Sequence, residues 1–163
     1  MKGDSTTIFA NGLFKSIAIA GLIAGTMDAT GATVAYLLRG GESPIKIWNY
    51  VGSGVFGDAS IKGGIGFATL GLLFHYFIAT VWTTIFFKLY KYLSMISKNW
   101  MVLGVIYGII VWAGMNLVVV PLSNTPKGPM TLNGALIAAF VLIICIGAPI
   151  SYLAKKYYSN QTL

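Results

Sequence analysis

The chain has 163 residues, of which 56% are hydrophobic and only 9% charged, a balance that excludes an ordinary soluble domain and points to a membrane protein. Its formal charge of +7, from 11 basic and 4 acidic residues, would suggest a nucleic-acid partner in a soluble protein. Here the basic residues cluster at the ends of apolar runs, where they anchor to headgroups and set topology, so the partner read from the sequence is the lipid bilayer and not nucleic acid.

Residues 1–16 are mixed, and a signal peptide is the competing reading of this end, because Lys2 precedes an apolar stretch and Ala18-Ile19-Ala20 resembles a small-residue cleavage site. The apolar run continues well past that site, so an uncleaved segment lying along the membrane surface is expected. A spanning helix needs roughly 20 mostly apolar residues at 1.5 Å each. Residues 17–38 meet that length and carry one carboxylate, Asp28, almost at their midpoint. An Asp at the bilayer centre costs about 2.5 to 3.5 kcal/mol, whereas each Leu, Ile or Val returns only about 0.3 to 0.6. The apolar residues of this span about cancel Asp28, and the segment needs neighbours. Gly21, Gly25, Asp28, Ala32 and Ala35 recur on one helical face, with Ile19, Ile23, Met27, Val34 and Leu37 roughly opposite. The small face predicts close helix packing, with the acid turned into a bundle.

After Arg39, Ser43 and Pro44 form a good helix start, as N-cap and first helical residue. A short interfacial or re-entrant helix is expected over about 44–55, with Ile47, Trp48, Val51 and Val55 on its apolar face and Trp48 and Tyr50 at headgroup depth. The second span, about 65–87, repeats the design of the first: Ala68, Gly71, His75, Ala79 and Thr83 share a face, with His75 near mid-membrane. Phe86, Phe87, Lys88, Tyr90, Lys91 and Tyr92 read as its aromatic and basic exit belt. The third span, about 101–120, carries Gly104 and Gly108 in small-xxx-small spacing, holds Asn116 and ends at Pro121. The fourth, about 132–154, should kink at Gly147 and Pro149 before the closing belt of Lys155, Lys156, Tyr157 and Tyr158.

The expected fold is therefore an all-α membrane protein, a four-transmembrane-helix bundle forming one domain over 1–163, without an internal repeat. Lys2, Lys15, Lys88, Lys91, Lys98, Lys155 and Lys156 fall on one side, against Arg39, Lys46, Lys62 and Lys127 on the other. The positive-inside rule then puts both termini in the cytoplasm, which argues against use of the sequon Asn160-Gln161-Thr162.

Two ionisable residues at equal depth on small-faced helices can meet. A close Asp28–His75 pair shares a proton and titrates as a unit, and intramembrane ionisable groups mark proton or substrate relays. With Thr26, Thr30, Tyr76, Thr80 and Asn116 as polar lining, the expectation is a small proton-linked transporter or channel-like protein. Such a small transporter should form a homodimer or join a larger complex. The alternative is a non-catalytic accessory subunit in which Asp28 and His75 are a clasp between helices. Helix packing is assigned to Gly21, Gly25, Gly71, Gly104 and Gly108. No enzyme, cofactor or metal is expected. His75 is the only histidine, which leaves haem and zinc short of ligands. No nucleophile stands out beside it, and the glycines at 52–64 lack a Walker pattern. Cys145, the single cysteine, reads as a small apolar core residue.

Gly71-Leu72-Leu73-Phe74-His75-Tyr76 and Met115-Asn116-Leu117-Val118-Val119-Val120-Pro121-Leu122-Ser123 resemble small bacterial inner-membrane proteins with four spans and no assigned activity. That resemblance implies location and architecture but no reaction. Small multidrug transporters are similar in architecture only, with four spans and a carboxylate midway along the first.

Overall fold

The computed structural model describes residues 5–128 and 130–160, with side chains from residue 12. Lys2, the surface segment ahead of residue 12 and most of the sequon therefore lie outside the described side chains. The chain is 86% helix, with no strand among the described residues. Four helices are long and apolar enough to cross a membrane: α1 (Ser5–Leu38), α4 (Ile65–Ile96), α5 (Trp100–Leu122) and α6 (Leu132–Ser159). Two short helices, α2 (Pro44–Phe56) and α3 (Asp58–Ile61), lie between the first two. The protein is a multi-pass, four-span membrane bundle.

The small faces do what their spacing predicts. On α1, Gly21 meets Thr80 and Gly25 meets Tyr76 and Ala79 of the antiparallel α4, while Ile19, Ile23, Met27, Val34 and Leu37 face outward. A Cβ on Gly104 would stand 2.8 Å from Ser151 Oγ and 3.1 Å from the backbone of Ala148, and one on Gly108 would run into the backbone of Ile143. This glycine pair is thus spent on α5–α6 packing within one chain.

Phe86 and Phe87 depart from expectation. Both are fully buried instead of lying in an exit belt. Phe86 packs edge-on against Tyr107 at 4.6 Å, and the Tyr158 hydroxyl donates to the Phe87 carbonyl at 2.8 Å. The cause is length: α4 continues to Ile96, so these rings still face α5 and α6.

In α5 the register widens over Gly114–Val119, where the Val120 N–H bonds to the Met115 carbonyl five residues earlier. In α6 the same happens over Ile143–Gly147, with the Ala148 N–H on the Ile143 carbonyl. Each π turn directly precedes a proline, Pro121 or Pro149. A proline removes an N–H and crowds the carbonyl four residues before it, and one extra residue in the turn relieves both. The bend expected at Gly147 and Pro149 takes this form, whereas α5 passes through Pro121 to Leu122.

Ser43 caps α2 as expected, accepting from the Ile45 N–H at 3.3 Å. Its inward side is broader than the expected apolar face. Asn49, Gly52 and Ser53 are buried and Ile47, Trp48 and Val51 half-buried, while Ile45, Tyr50, Val55 and Phe56 are exposed. Gly71 on α4 has no Cβ to hold off the Trp48 carbonyl, so α2 docks on it backbone to backbone. Asn49 donates to the Gly63 carbonyl at 2.7 Å and Ser60 to the Asn49 carbonyl at 2.7 Å, whereas Asn49 Oδ1 finds no partner among the described residues. In lipid apolar residues such as Ile45 and Val55 can stay outside. Trp48 accordingly lies against His75, at mid-span, not at headgroup depth.

Candidate functional site

Asp28 lies ten residues before the end of α1 at Leu38, and His75 ten residues after the start of α4 at Ile65. Antiparallel packing therefore sets both about 15 Å inside the same end of the bundle, the end that carries α2. They do meet: His75 Nε2 is 3.9 Å from Asp28 Oδ2. That separation is too long for a hydrogen bond. His75 Nε2 instead stands 2.9 Å from the carbonyl oxygen of Gly25. A carbonyl only accepts, so Nε2 carries a proton and donates it there. The ring is further held edge-on by Trp48 at 5.3 Å and by Tyr76 at 5.7 Å.

The clasp between α1 and α4 thus consists of His75 on the Gly25 backbone and the Thr26 and Tyr76 hydroxyls, 3.0 Å apart. Asp28 is not part of it. Its residue is 9% exposed, and among the described residues no hydrogen-bond donor reaches its carboxylate.

What that carboxylate faces is a cavity of 1130 Å³, walled by all six helices and reaching down to Asp28 and His75. The deep wall is apolar, with Ala32, Ile78, Ala79 and Val141. Both π turns contribute to it, Met115 and Asn116 from α5 and Ile146 from α6. Such wide turns are found at functional sites, because they re-aim side chains that a regular helix would turn away. Met115 is pinned by the Trp82 indole N–H, 3.4 Å from its sulfur, and the Asn116 amide donates to the Trp112 carbonyl at 2.9 Å.

The mouth has a different character. Tyr36, Arg39, Lys46, Tyr50, Lys127 and Thr131 ring it. Lys46 is paired with Glu42; the hydrogen bond first, and the opposite charge second, hold the Glu42 carboxyl below the usual carboxylate range and the Lys46 ammonium above its own. Both are exposed. Arg39 and Lys127 have no carboxylate partner among the described residues. The Arg39 guanidinium lies over the first turn of α6, where Nη1 would stand 3.4 Å from a Cβ on Gly134. There the Thr131 hydroxyl caps the Gly134 N–H at 3.2 Å.

Of the polar lining expected from the sequence, only Asn116 borders the cavity. Thr26 and Thr30 lie on the exposed side of α1, with Thr30 bonded to the Thr26 carbonyl at 2.8 Å, and Thr80 is bonded to the Tyr76 carbonyl at 2.8 Å. The reason is angular. Two residues from Asp28 on a helix of 3.6 residues per turn is about 200° round the axis. Tyr36, Arg39, Lys46, Tyr50, Lys127 and Thr131 were not anticipated as lining; the cations read as topology markers. Cys145 is half-buried against Gly31 of α1. No three metal-ligating side chains converge among the described residues.

No protein-family model, no curated protein and no solved structure matches the chain. The reading of the site therefore rests on its own geometry.

Proposed function

We propose that the chain is a small proton-linked transporter in which Asp28 gains and loses the coupled proton. The supporting observation is that the cavity ends on a carboxylate that the helix clasp does not use. A purely structural acid at this depth would be expected to take donors from its neighbours. Here the histidine beside it spends its Nε2 proton on backbone, and the carboxylate is left to the cavity. The chemistry needs no cofactor: proton exchange at one oxygen, in a chamber lined by side chains that two π turns hold in place.

The basic residues at the end opposite α2 outnumber those at the α2 end, so the positive-inside rule puts both termini in the cytoplasm and opens the cavity away from it. The location proposed is the inner membrane of a bacterium, in keeping with the four-span proteins that two of its segments resemble. Because Gly104 and Gly108 pack within the chain, a homodimer would form through other, lipid-facing residues.

The test is proton flux into proteoliposomes loaded with a pH-sensitive dye, under an imposed potential. Wild type should acidify the lumen and Asp28→Asn should not, with helicity and elution volume unchanged. Equal flux in both overturns the proposal and leaves Asp28 a structural residue of an accessory protein.

A further inference from the structure

The geometry points to an amphiphilic anion as the occupant of this cavity: an acidic headgroup held at the mouth by Arg39 and Lys127, and an apolar tail running down to Asp28. The inference rests on the transport reading above and names its substrate class.

Charge complementarity fixes the headgroup. Arg39 and Lys127 both border the cavity and have no carboxylate partner among the described residues. Arg39 also leans on the first turn of α6, where the unpaired backbone N–H groups of a helix start add positive potential instead of offsetting it. Glu42, the one acid at the mouth among the described residues, is taken by Lys46. Two cations without a carboxylate partner among the described residues and a helix start border one opening and favour an anion there, and a planar guanidinium suits phosphate or carboxylate oxygens.

The wall fixes the tail. Below the mouth the lining is mostly apolar, broken by Asn116, His75 and Asp28, and it runs about 16 Å along α1 from Arg39 to Asp28. A small hydrophilic anion would leave that length unfilled, and an amphiphilic cation would place its charge among the cations. The volume of 1130 Å³ slightly exceeds the usual range of small-molecule sites, roughly 300 to 1,000 Å³, and accommodates an alkyl chain.

The coupling then follows. A tail filling the deep end strips water from Asp28, and an ionised carboxylate against hydrocarbon is strongly disfavoured, so tail and proton arrive together. The groups facing Asp28 are His75 from α4 at 3.9 Å and the Cys145 thiol region of α6, one turn away at Gly31; α5 lines the cavity with uncharged residues alone, and Tyr36, Arg39, Lys46, Tyr50 and Lys127 stand at the mouth. None of them donates a hydrogen bond to the carboxylate.

The headgroup could belong to a free amphiphile or to an anionic lipid. The probe is dodecyl phosphate, titrated into the full chain in phosphatidylcholine nanodiscs and followed by tryptophan fluorescence, with inorganic phosphate and dodecyltrimethylammonium as comparisons. Dodecyl phosphate should bind saturably and at least roughly tenfold more tightly than either. Arg39→Gln with Lys127→Gln should abolish that preference, and Arg39→Lys with Lys127→Arg should restore it. Binding should take up a proton in wild type but not in Asp28→Asn. Displacement of the probe by phosphatidylglycerol identifies a lipid as the natural source, and failure to displace it identifies a free amphiphile. Equal binding of the cationic amphiphile, or full binding by the double glutamine variant, overturns the inference and leaves the proton role of Asp28 standing. Retained anion selectivity without proton uptake in wild type would instead sink the transport reading alone.

Discussion

The separation of Asp28 from the clasp makes a quantitative claim that a double-mutant cycle can test. Suppose Asp28 and His75 formed a charged pair at their 3.9 Å spacing. Two unit charges 4 Å apart at an effective dielectric of 20 attract by about 4 kcal/mol, and removing either would forfeit most of that. The geometry argues otherwise, since the Nε2 proton of His75 goes to the Gly25 carbonyl. His75→Phe should then cost about 0.5 to 1.5 kcal/mol for one net hydrogen bond, with Asp28→Asn costing little. The two should be close to additive, with an interaction energy under about 1 kcal/mol. The assay is unfolding of the purified single and double variants by titration with SDS in mixed micelles. An interaction energy of 3 kcal/mol or more, with the double variant no worse than either single, would refute the reasoning and make the pair the clasp.

Three further outcomes follow from packing and surface charge. Gly108→Ala drives a Cβ into the Ile143 backbone and should destabilise the bundle by about 1 to 3 kcal/mol, without changing oligomeric state in cross-linking. Gly71→Ala should push α2 off α4 at the Trp48 carbonyl, and a red shift of Trp48 emission, with the other tryptophans replaced by Phe, reads it. At the mouth, Lys46→Gln should let the Glu42 pKa rise toward its ordinary value of about 4.3, seen in its carboxyl carbon shift. Because the Glu42 pKa is depressed in the folded state, whatever the pair contributes is present above that ordinary value and fades as pH falls through the lowered one.

Much of this architecture was legible in the residues. The span limits are written in apolar runs bounded by charge, and α4, α5 and α6 start within one residue of the expected positions. The small faces of α1 and α4 were legible because glycine and alanine at helical spacing admit a neighbour in any membrane bundle. The packed side of α2 was not, because an amphipathic pattern says which residues avoid water and not whether lipid or protein replaces it. Of the expected exit belt only Phe86 and Phe87 turn inward, because α4 continues to Ile96 and those two positions still face α5 and α6, while Lys88, Lys91 and Tyr92 are exposed. As for the site, the depth of Asp28 and His75 follows from counting residues, and so their approach could be anticipated. Their hydrogen bonds could not, because the competing acceptor is the Gly25 backbone. The cavity depends on six helices failing to close over one another, and no single segment encodes that.

The central claim, that Asp28 ends a cavity open at the α2 end, is tested most directly by thiol labelling. In sealed vesicles of known orientation, Asp28→Cys in a Cys145→Ala background is treated with a membrane-impermeant methanethiosulfonate reagent from each side in turn. The account predicts faster labelling from the side bearing Arg39 and Lys127 than from the other, with Thr30→Cys unreactive from both. Protection of Asp28→Cys from both sides, or faster labelling from the side of Lys88 and Lys155, would contradict it.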